Sequence, residues 1–254
     1  MIQSDKLTAY FNRIGYSGPT EATIETLRAI HRTHLLAVPF ENLNIHIGRP
    51  ISIDPGAIYE KIVHNRRGGF CYEQNGLLSV ILRSMGFDVT LLEARVRRAE
   101  NDYGIPFGHL TLMVVLDQRW LFDVGYGDSF REPLLIDEPG DQIQGDTAFR
   151  ITHNGQRGVY SRRLPDADWH EEYEFYLTPR TLTDFADGCH YHQTSPNSTF
   201  TQKRLCSLAT PDGRITLSGD TFITTRNGQR EERHLILPDE FNALLRSHFG
   251  INLA

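Results

Sequence analysis

Cysteine is scarce: the 254 residues include only Cys71, Cys189 and Cys206. They form no CxxC spacing, and any disulfide would leave one over, so neither a disulfide framework nor a structural zinc site is expected. Long apolar runs are missing too. Nothing approaches the roughly twenty residues of a membrane-spanning helix, and the opening Met1-Ile2-Gln3-Ser4-Asp5-Lys6 has no apolar signal core. There is no surplus of positive charge. The formal net charge is -6, which argues against nucleic acid or an anionic membrane as the main partner. Internal repeats, low-complexity segments and long linkers are also absent. What is left is the expectation of a soluble, cytoplasmic protein of a reducing compartment. Its ordinary apolar content supports a sizeable core, in two compact domains or one large domain with an appendage.

The first 86 residues read as helical. Leu7, Tyr10, Phe11 and Ile14 share one face of a helix over 5–14 that Gly15 ends. Pro19 and Thr20 open a second helix with Ile24, Leu27, Ile30 and His31 turned inwards. His31 and His34 sit one turn apart with no third ligand type nearby, and they read as surface or boundary histidines rather than a metal site. Pro39 breaks that helix. Glu41 then stands between Phe40 and Leu43, either solvated or buried against a partner such as Arg67. Asp54-Pro55 starts a third helix, which runs to about Val63.

After Gly86 the texture changes to strands: Val89 to Val96, Leu110 to Leu116, and Trp120 to Val124, the last two joined as a hairpin by Asp117-Gln118-Arg119. Short strands continue at 149–152, 158–161 and 173–177, which suggests an antiparallel barrel or meander. Residues 181–187 read as a helical turn and 187–200 as a loop, the best boundary in this half. Strands follow at 202–209, 214–217, 222–225 and 231–237. Pro238-Asp239 then opens a closing amphipathic helix with Phe241, Leu244, Leu245 and Phe249. The fold class is α+β, divided as 1–86 helical, 87–190 barrel and 191–254 α/β.

Chemistry concentrates at Arg66-Arg67-Gly68-Gly69-Phe70-Cys71-Tyr72-Glu73-Gln74-Asn75. Leu77, Leu78, Ile81, Leu82 and Met85 place Cys71 at the first turn of a mostly buried helix entered from a glycine loop. Unpaired N–H groups there carry partial positive charge and stabilise a thiolate. A cysteine in a soluble protein is most often a small buried apolar residue, so a reactive role needs partners elsewhere. His109 opens the strand 110–116. Asp123, between Phe122 and Val124, precedes a glycine turn on the paired strand. A hairpin brings the two together at its open end, the layout of an imidazole oriented by a carboxylate. A strand-capping histidine and a turn aspartate are the plainer alternatives.

Arg67-Gly68-Gly69-Phe70-Cys71-Tyr72-Glu73-Gln74-Asn75 resembles the active-site signature of the arylamine N-acetyltransferase family. Pro39-Phe40-Glu41-Asn42-Leu43, His109-Leu110-Thr111-Leu112 and Asp123-Val124-Gly125-Tyr126-Gly127 resemble three further motifs of that family, in the same order and spacing. The resemblance implies a helical bundle, an antiparallel β-barrel and an α/β lid around a cysteine-protease-like core. It implies a Cys71, His109, Asp123 triad, with Glu41 and Arg67 as a structural ion pair. It also implies ping-pong acetyl transfer from acetyl-CoA to arylamines, arylhydrazines or arylhydroxylamines through a Cys71 thioester, with no metal, in a monomer or homodimer. Phe40 and Tyr126 are candidates for stacking on the acceptor ring. Gly125 and Gly127 are candidates for close approach of the cofactor.

Two departures qualify the resemblance. Tyr126 stands where phenylalanine is more usual, which bears on acceptor preference. The chain ends soon after the lid helix, which bears on how coenzyme A is covered. An amide synthase or cysteine hydrolase on the same triad, and a binding module with an inert Cys71, are the rival readings.

Overall fold

A computed structural model of the protein describes residues 4–100, 102–237 and 239–253. Helix α1 (Ser4–Ile14) buries Tyr10 and Ile14 and ends where Gly15 turns to φ +68°. Helix α2 (Ile24–Ala37) starts later than Pro19-Thr20 suggests. Thr23 is its N-cap, accepting the N–H of Thr26, so the chain from Pro19 onward is a lead-in rather than a first turn. Its histidines are not at the surface. His31 and His34 are both 0% exposed, because they lie on the same face as Leu27 and Ile30 and each has polar partners inside. Strand β1 (Phe40–Glu41) follows Pro39, then the short helices α3 (Leu43–His46) and α4 (Pro55–Tyr59). Asp54 caps α4 through the Ala57 N–H, and a π-helical turn Glu60–His64 extends it to the glycine loop.

Helix α5 (Cys71–Ser84) is the spine. Leu77, Leu78, Ile81 and Leu82 are each at most 1% exposed, and burying such side chains contributes about 1.5–3 kcal/mol apiece. The helix packs on β2 (Asp88–Ala99) and β4 (His109–Val115), and β4 turns tightly into β5 (Arg119–Phe122).

The larger sheet is antiparallel. From one end it runs through β6 (Leu134–Leu135), β5, β4, β2, β10 (His170–Tyr176), β9 (Arg157–Arg163), β8 (Thr147–Asn154) and β7 (Gln142–Gln144), with β3 (Asp102–Tyr103) beside β2. The sheet is nearly a closed barrel, and side chains complete it. Gln142 of β7 donates to the Leu135 carbonyl and accepts the Leu135 N–H of β6 (2.8 and 2.7 Å), while Gln144 accepts the N–H groups of Arg131 and Glu132. Edge groups that strand pairing leaves open are satisfied this way.

The second sheet orders β1, β11 (Leu205–Thr210), β12 (Gly213–Ser218), β13 (Thr221–Arg226) and β14 (Gln229–His234), and α8 (Glu240–Phe249) packs across it. The last strand thus ends before 235–237. Pro238, the expected first residue of the closing helix, lies outside the described residues. The expected loop at 187–200 is overturned. Residues Leu182–Phe185 form a 3₁₀ turn that passes directly into α6 (Ala186–Thr194), and α7 (Thr199–Gln202) follows. Its polar, weakly amphipathic sequence hides α6. The helix is held by close approach and polar contacts instead: a Cβ on Gly188 would lie 2.4 Å from the Phe107 carbonyl oxygen, and His192 lies 3.0 Å from the Gly108 carbonyl.

Candidate active site

Two glycines lead the chain into α5 because nothing larger fits. A Cβ on Gly68 would sit 1.9 Å from the Pro39 carbonyl oxygen, and one on Gly69 2.6 Å from the Glu73 carboxylate. Glu73 turns back to accept the Phe70 N–H (3.2 Å) and takes the Lys61 ammonium at 2.7 Å. Gln74 donates to the Gly69 carbonyl (2.6 Å) and is itself held by His34, whose other nitrogen meets the Tyr10 hydroxyl. Glu41 is fully buried and paired. Arg67 Nη2 lies 2.8 Å from its Oε1, Lys61 lies 3.6 Å away, and the Leu43 N–H donates to Oε2 at 2.8 Å. Burial opposes its charge, but Lys61 and Arg67 outweigh burial and hold the carboxyl below its ordinary range. The solvated reading of Glu41 is therefore excluded.

Cys71 thus begins a helix that is anchored from behind on both sides, and its side chain is 3% exposed. Across from it, β4 and β5 pair with Leu112 opposite Phe122. That register sets Thr111 opposite Asp123 and puts His109 one diagonal step away on the same face. The His109 Nε2 to Asp123 Oδ2 distance is 2.7 Å. The ring and the Cys71 sulfur line the same cavity, and the sulfur acts on the ring's charge. With Nε2 given to the carboxylate, Nδ1 is the nitrogen left for sulfur. Burial alone would lower His109. The Asp123 carboxylate and the Cys71 sulfur outweigh it and raise the ring to about 10. The three residues expected to act together are therefore in one place.

Residues without an expected role complete the arrangement. Asn75, one turn after Cys71, donates to Asp123 Oδ1 (2.8 Å) and to the Leu110 carbonyl (2.7 Å), and accepts the Val124 N–H (3.1 Å). Tyr173 of β10 donates to Asp123 Oδ2 at 2.9 Å, and the Gly125 N–H to Oδ1 at 2.9 Å. His31 reaches the Asp123 backbone carbonyl at 3.1 Å. Burial resists the Asp123 charge. His109, Asn75 and the Gly125 N–H overcome it and hold the carboxyl below its usual range.

The sulfur opens on a cavity of about 780 Å³ lined by Phe40, His109, Gly125, Tyr126, His192 and Phe200 among others. Phe200 had no expected role. Its ring lies 6.0 Å from Phe40 and 5.2 Å from His192. Tyr126 stands edge-on to His109 at 5.5 Å. The bare Cα of Gly125 first serves α5: a Cβ there would lie 2.6 Å from Cys71 Cα. Gly127 takes φ +90° and faces the Phe40 ring. Among the described residues no group of three or more His, Cys, Asp or Glu could hold a metal ion. No helix there is long and apolar enough to cross a membrane.

A cysteine at a helix N-terminus, an imidazole from an adjacent strand and a carboxylate behind it, beside an aromatic-lined cavity, form an arrangement suited to the class of acyltransferases and hydrolases that work through a thiol. The sequence comparisons narrow this. Residues 23–254 match the family model described as N-acetyltransferase. The chain is 37% identical to the pineal gland arylamine N-acetyltransferase isozyme NAT-10 of Gallus gallus and 35% identical to arylamine N-acetyltransferase 1 of Homo sapiens. Each match covers 97% of this chain and 94% of the relative. The Salmonella typhimurium arylamine N-acetyltransferase structure superposes with a TM-score of 0.92 at 31% identity, covering 99% of this chain and 92% of that one. The Mycobacterium marinum enzyme in complex with CoA superposes with a TM-score of 0.90 at 30% identity, covering 97% and 93%. The chain belongs to the arylamine N-acetyltransferase family, a family of acyltransferases.

Proposed function

We propose that the protein transfers an acetyl group from acetyl-CoA to the nitrogen of arylamines, arylhydrazines or arylhydroxylamines by a ping-pong route through Cys71. The observation that carries this is His109 sharing one cavity with Cys71 while its Nε2 is held by a buried carboxylate with four hydrogen-bond donors around it. In this route Cys71 reacts as the thiolate, with the His109 ring as its imidazolium partner. The thiolate attacks the acetyl carbonyl, the new C–S bond forms as the bond to coenzyme A breaks, and His109 passes its proton to the departing thiolate. The amine then attacks the Cys71 thioester, His109 takes a proton from its nitrogen, and the Cys71 thiolate leaves. Asp123 keeps the His109 ring oriented and stabilises its charged form throughout. The first N–H groups of α5, at Cys71 and Tyr72, have no acceptor one helical turn back and are the donors suited to the developing oxyanion.

In this reading residues 1–86 deliver the nucleophile, 87–190 its histidine and aspartate, and 191–254 the lid. Phe40 and Tyr126 hold the flat acceptor, and Gly125 and Gly127 let the donor come close to Cys71. The names of the relatives and the CoA complex support the donor and acceptor classes. Mixing the protein with radiolabelled acetyl-CoA and no amine tests it. Label that stays on Cys71 and is released by an added arylamine is expected. Hydrolysis without a trapped label would favour the cysteine-hydrolase reading instead.

A further inference from the structure

The triad leaves the Tyr126 hydroxyl, in the same cavity, without a role. The Tyr126 hydroxyl has two neighbours, both on Glu172: carboxylate Oε2 at 2.9 Å and the backbone carbonyl oxygen at 3.4 Å. Both are acceptors, so the one hydroxyl proton is committed to Glu172. Glu172 is only 5% exposed, and its other oxygen lies 2.5 Å from Arg162 Nε and 3.5 Å from His170 Nδ1. Burial and the adjacent carboxylate both hold the Tyr126 phenol protonated, far above its ordinary range. Glu172 lines the cavity beside Tyr126, and a phenol whose one proton is committed to it offers an incoming ring only oxygen lone pairs. A phenylalanine in its place would offer none.

We propose that the Tyr126–Glu172 pair makes this chain select acceptors whose ring carries a hydrogen-bond donor in addition to the reacting amine, such as aminophenols and diaminobenzenes, over alkyl- or alkoxy-anilines. The proposal rests on acetyl transfer to arylamines at Cys71. Tyr126 touches the acceptor, and Glu172 acts through it as a positioning residue. Glu172 and Asp128 line the same cavity with Arg97, Arg98 and Arg162, whose Nε lies 2.5 Å from Glu172 and whose Nη1 donates to Asp128.

The test compares kcat/KM for 4-aminophenol and 4-methoxyaniline. Their amines are electronically alike, but only the first carries a second donor at the ring oxygen. The wild type is expected to prefer 4-aminophenol by about tenfold or more, the scale of one hydrogen bond to a charge-assisted acceptor. Tyr126→Phe should bring the ratio to about one. Glu172→Leu, which frees the hydroxyl to turn and donate to an ether, should lower it as well. A wild-type ratio near one, or a preference that survives Tyr126→Phe, overturns the proposal. If Glu172 were merely structural, Glu172→Leu would slow both acceptors alike and leave the ratio unmoved. Should Glu172→Leu fail to fold for want of the Arg162 pair, Tyr126→Phe keeps that pair and decides alone. Wild-type protein mixed with labelled acetyl-CoA and no amine separates the two possible failures. Label on Cys71 with a flat ratio sinks only this selectivity, whereas no label sinks the acetyl-transfer reading and this proposal with it.

Discussion

Asp123 shows how much a single side chain carries. Its carboxylate has four neighbours, His109 Nε2, the Tyr173 hydroxyl, Asn75 Nδ2 and the Gly125 N–H, and all four are used as donors. An amide in its place must turn two N–H groups towards at least one of them. Asp123→Asn is therefore expected to do more than disable His109. It should lower stability by about 3 kcal/mol or more, the cost of breaking a buried charged pair, and remove nearly all turnover. Urea unfolding measured beside single-turnover acetylation checks both, and a variant of wild-type stability would show that the donors can turn away. Cys71, His109 and Asp123 were legible because each has a local signature: a glycine loop, a strand start, a strand end. Asn75 was half legible. It stands four residues after Cys71, on the same helix face, where a buried amide needs partners. Tyr173 had no such signal, because its role depends on β10 lying beside β2 in the barrel.

At the level of elements, apolar runs of strand length gave β4 and β5 to within two residues, and the 3.6-residue period gave α1 and α5. It failed for α6, where polar residues dominate and the helix is positioned by close approach rather than by an apolar stripe. Its Gly188 backs onto the Phe107 carbonyl and the Tyr72 hydroxyl, and His192, one turn on, lies 3.0 Å from the Gly108 carbonyl beside His109. Propensity alone says that Gly188→Ala should stabilise α6 by up to about 1 kcal/mol. The new methyl, however, would meet backbone oxygen at 2.4 Å, which cannot yield as a flexible side chain would. Forced insertion of this kind costs about 1–3 kcal/mol, so the expected sign is a net loss. A lower urea midpoint is the outcome to look for, together with a raised KM for the amine as His192 and Phe200 shift. A raised midpoint would show that α6 is free to slide on the 105–108 turn.

The whole molecule carries its histidines in opposite electrostatic roles, and this sets how stability depends on pH. Burial lowers His31 to about 4 and His34 to about 3, so both are neutral in the fold. In the unfolded chain each takes a proton below about 6.5. From pH 6.5 down to about 4.5 the unfolded state therefore binds more protons than the native state, and stability falls as the pH falls. Each fully buried histidine contributes a slope approaching 1.4 kcal/mol per pH unit, about 2.7 for the two together. His192, lowered to about 4 but less deeply buried, adds to the same limb. His109 has the opposite sign. Raised to about 10, its contribution is complete below 6.5 and adds no slope in this window. The carboxylates Glu41 and Asp123, held below their ordinary range, weaken the fold only at still lower pH, as each falls through its native-state value. Urea unfolding across pH 4.5–6.5 should show the decline, and His34→Gln should remove close to half of the slope due to the two buried rings while lowering stability throughout. A flat profile in the wild type would mean that the interior accommodates the charged rings. His31 is where that outcome would arise, because its two nitrogens face the carbonyl oxygens of Arg131 and Asp123 at 3.0 and 3.1 Å, and only a doubly protonated ring can donate to both.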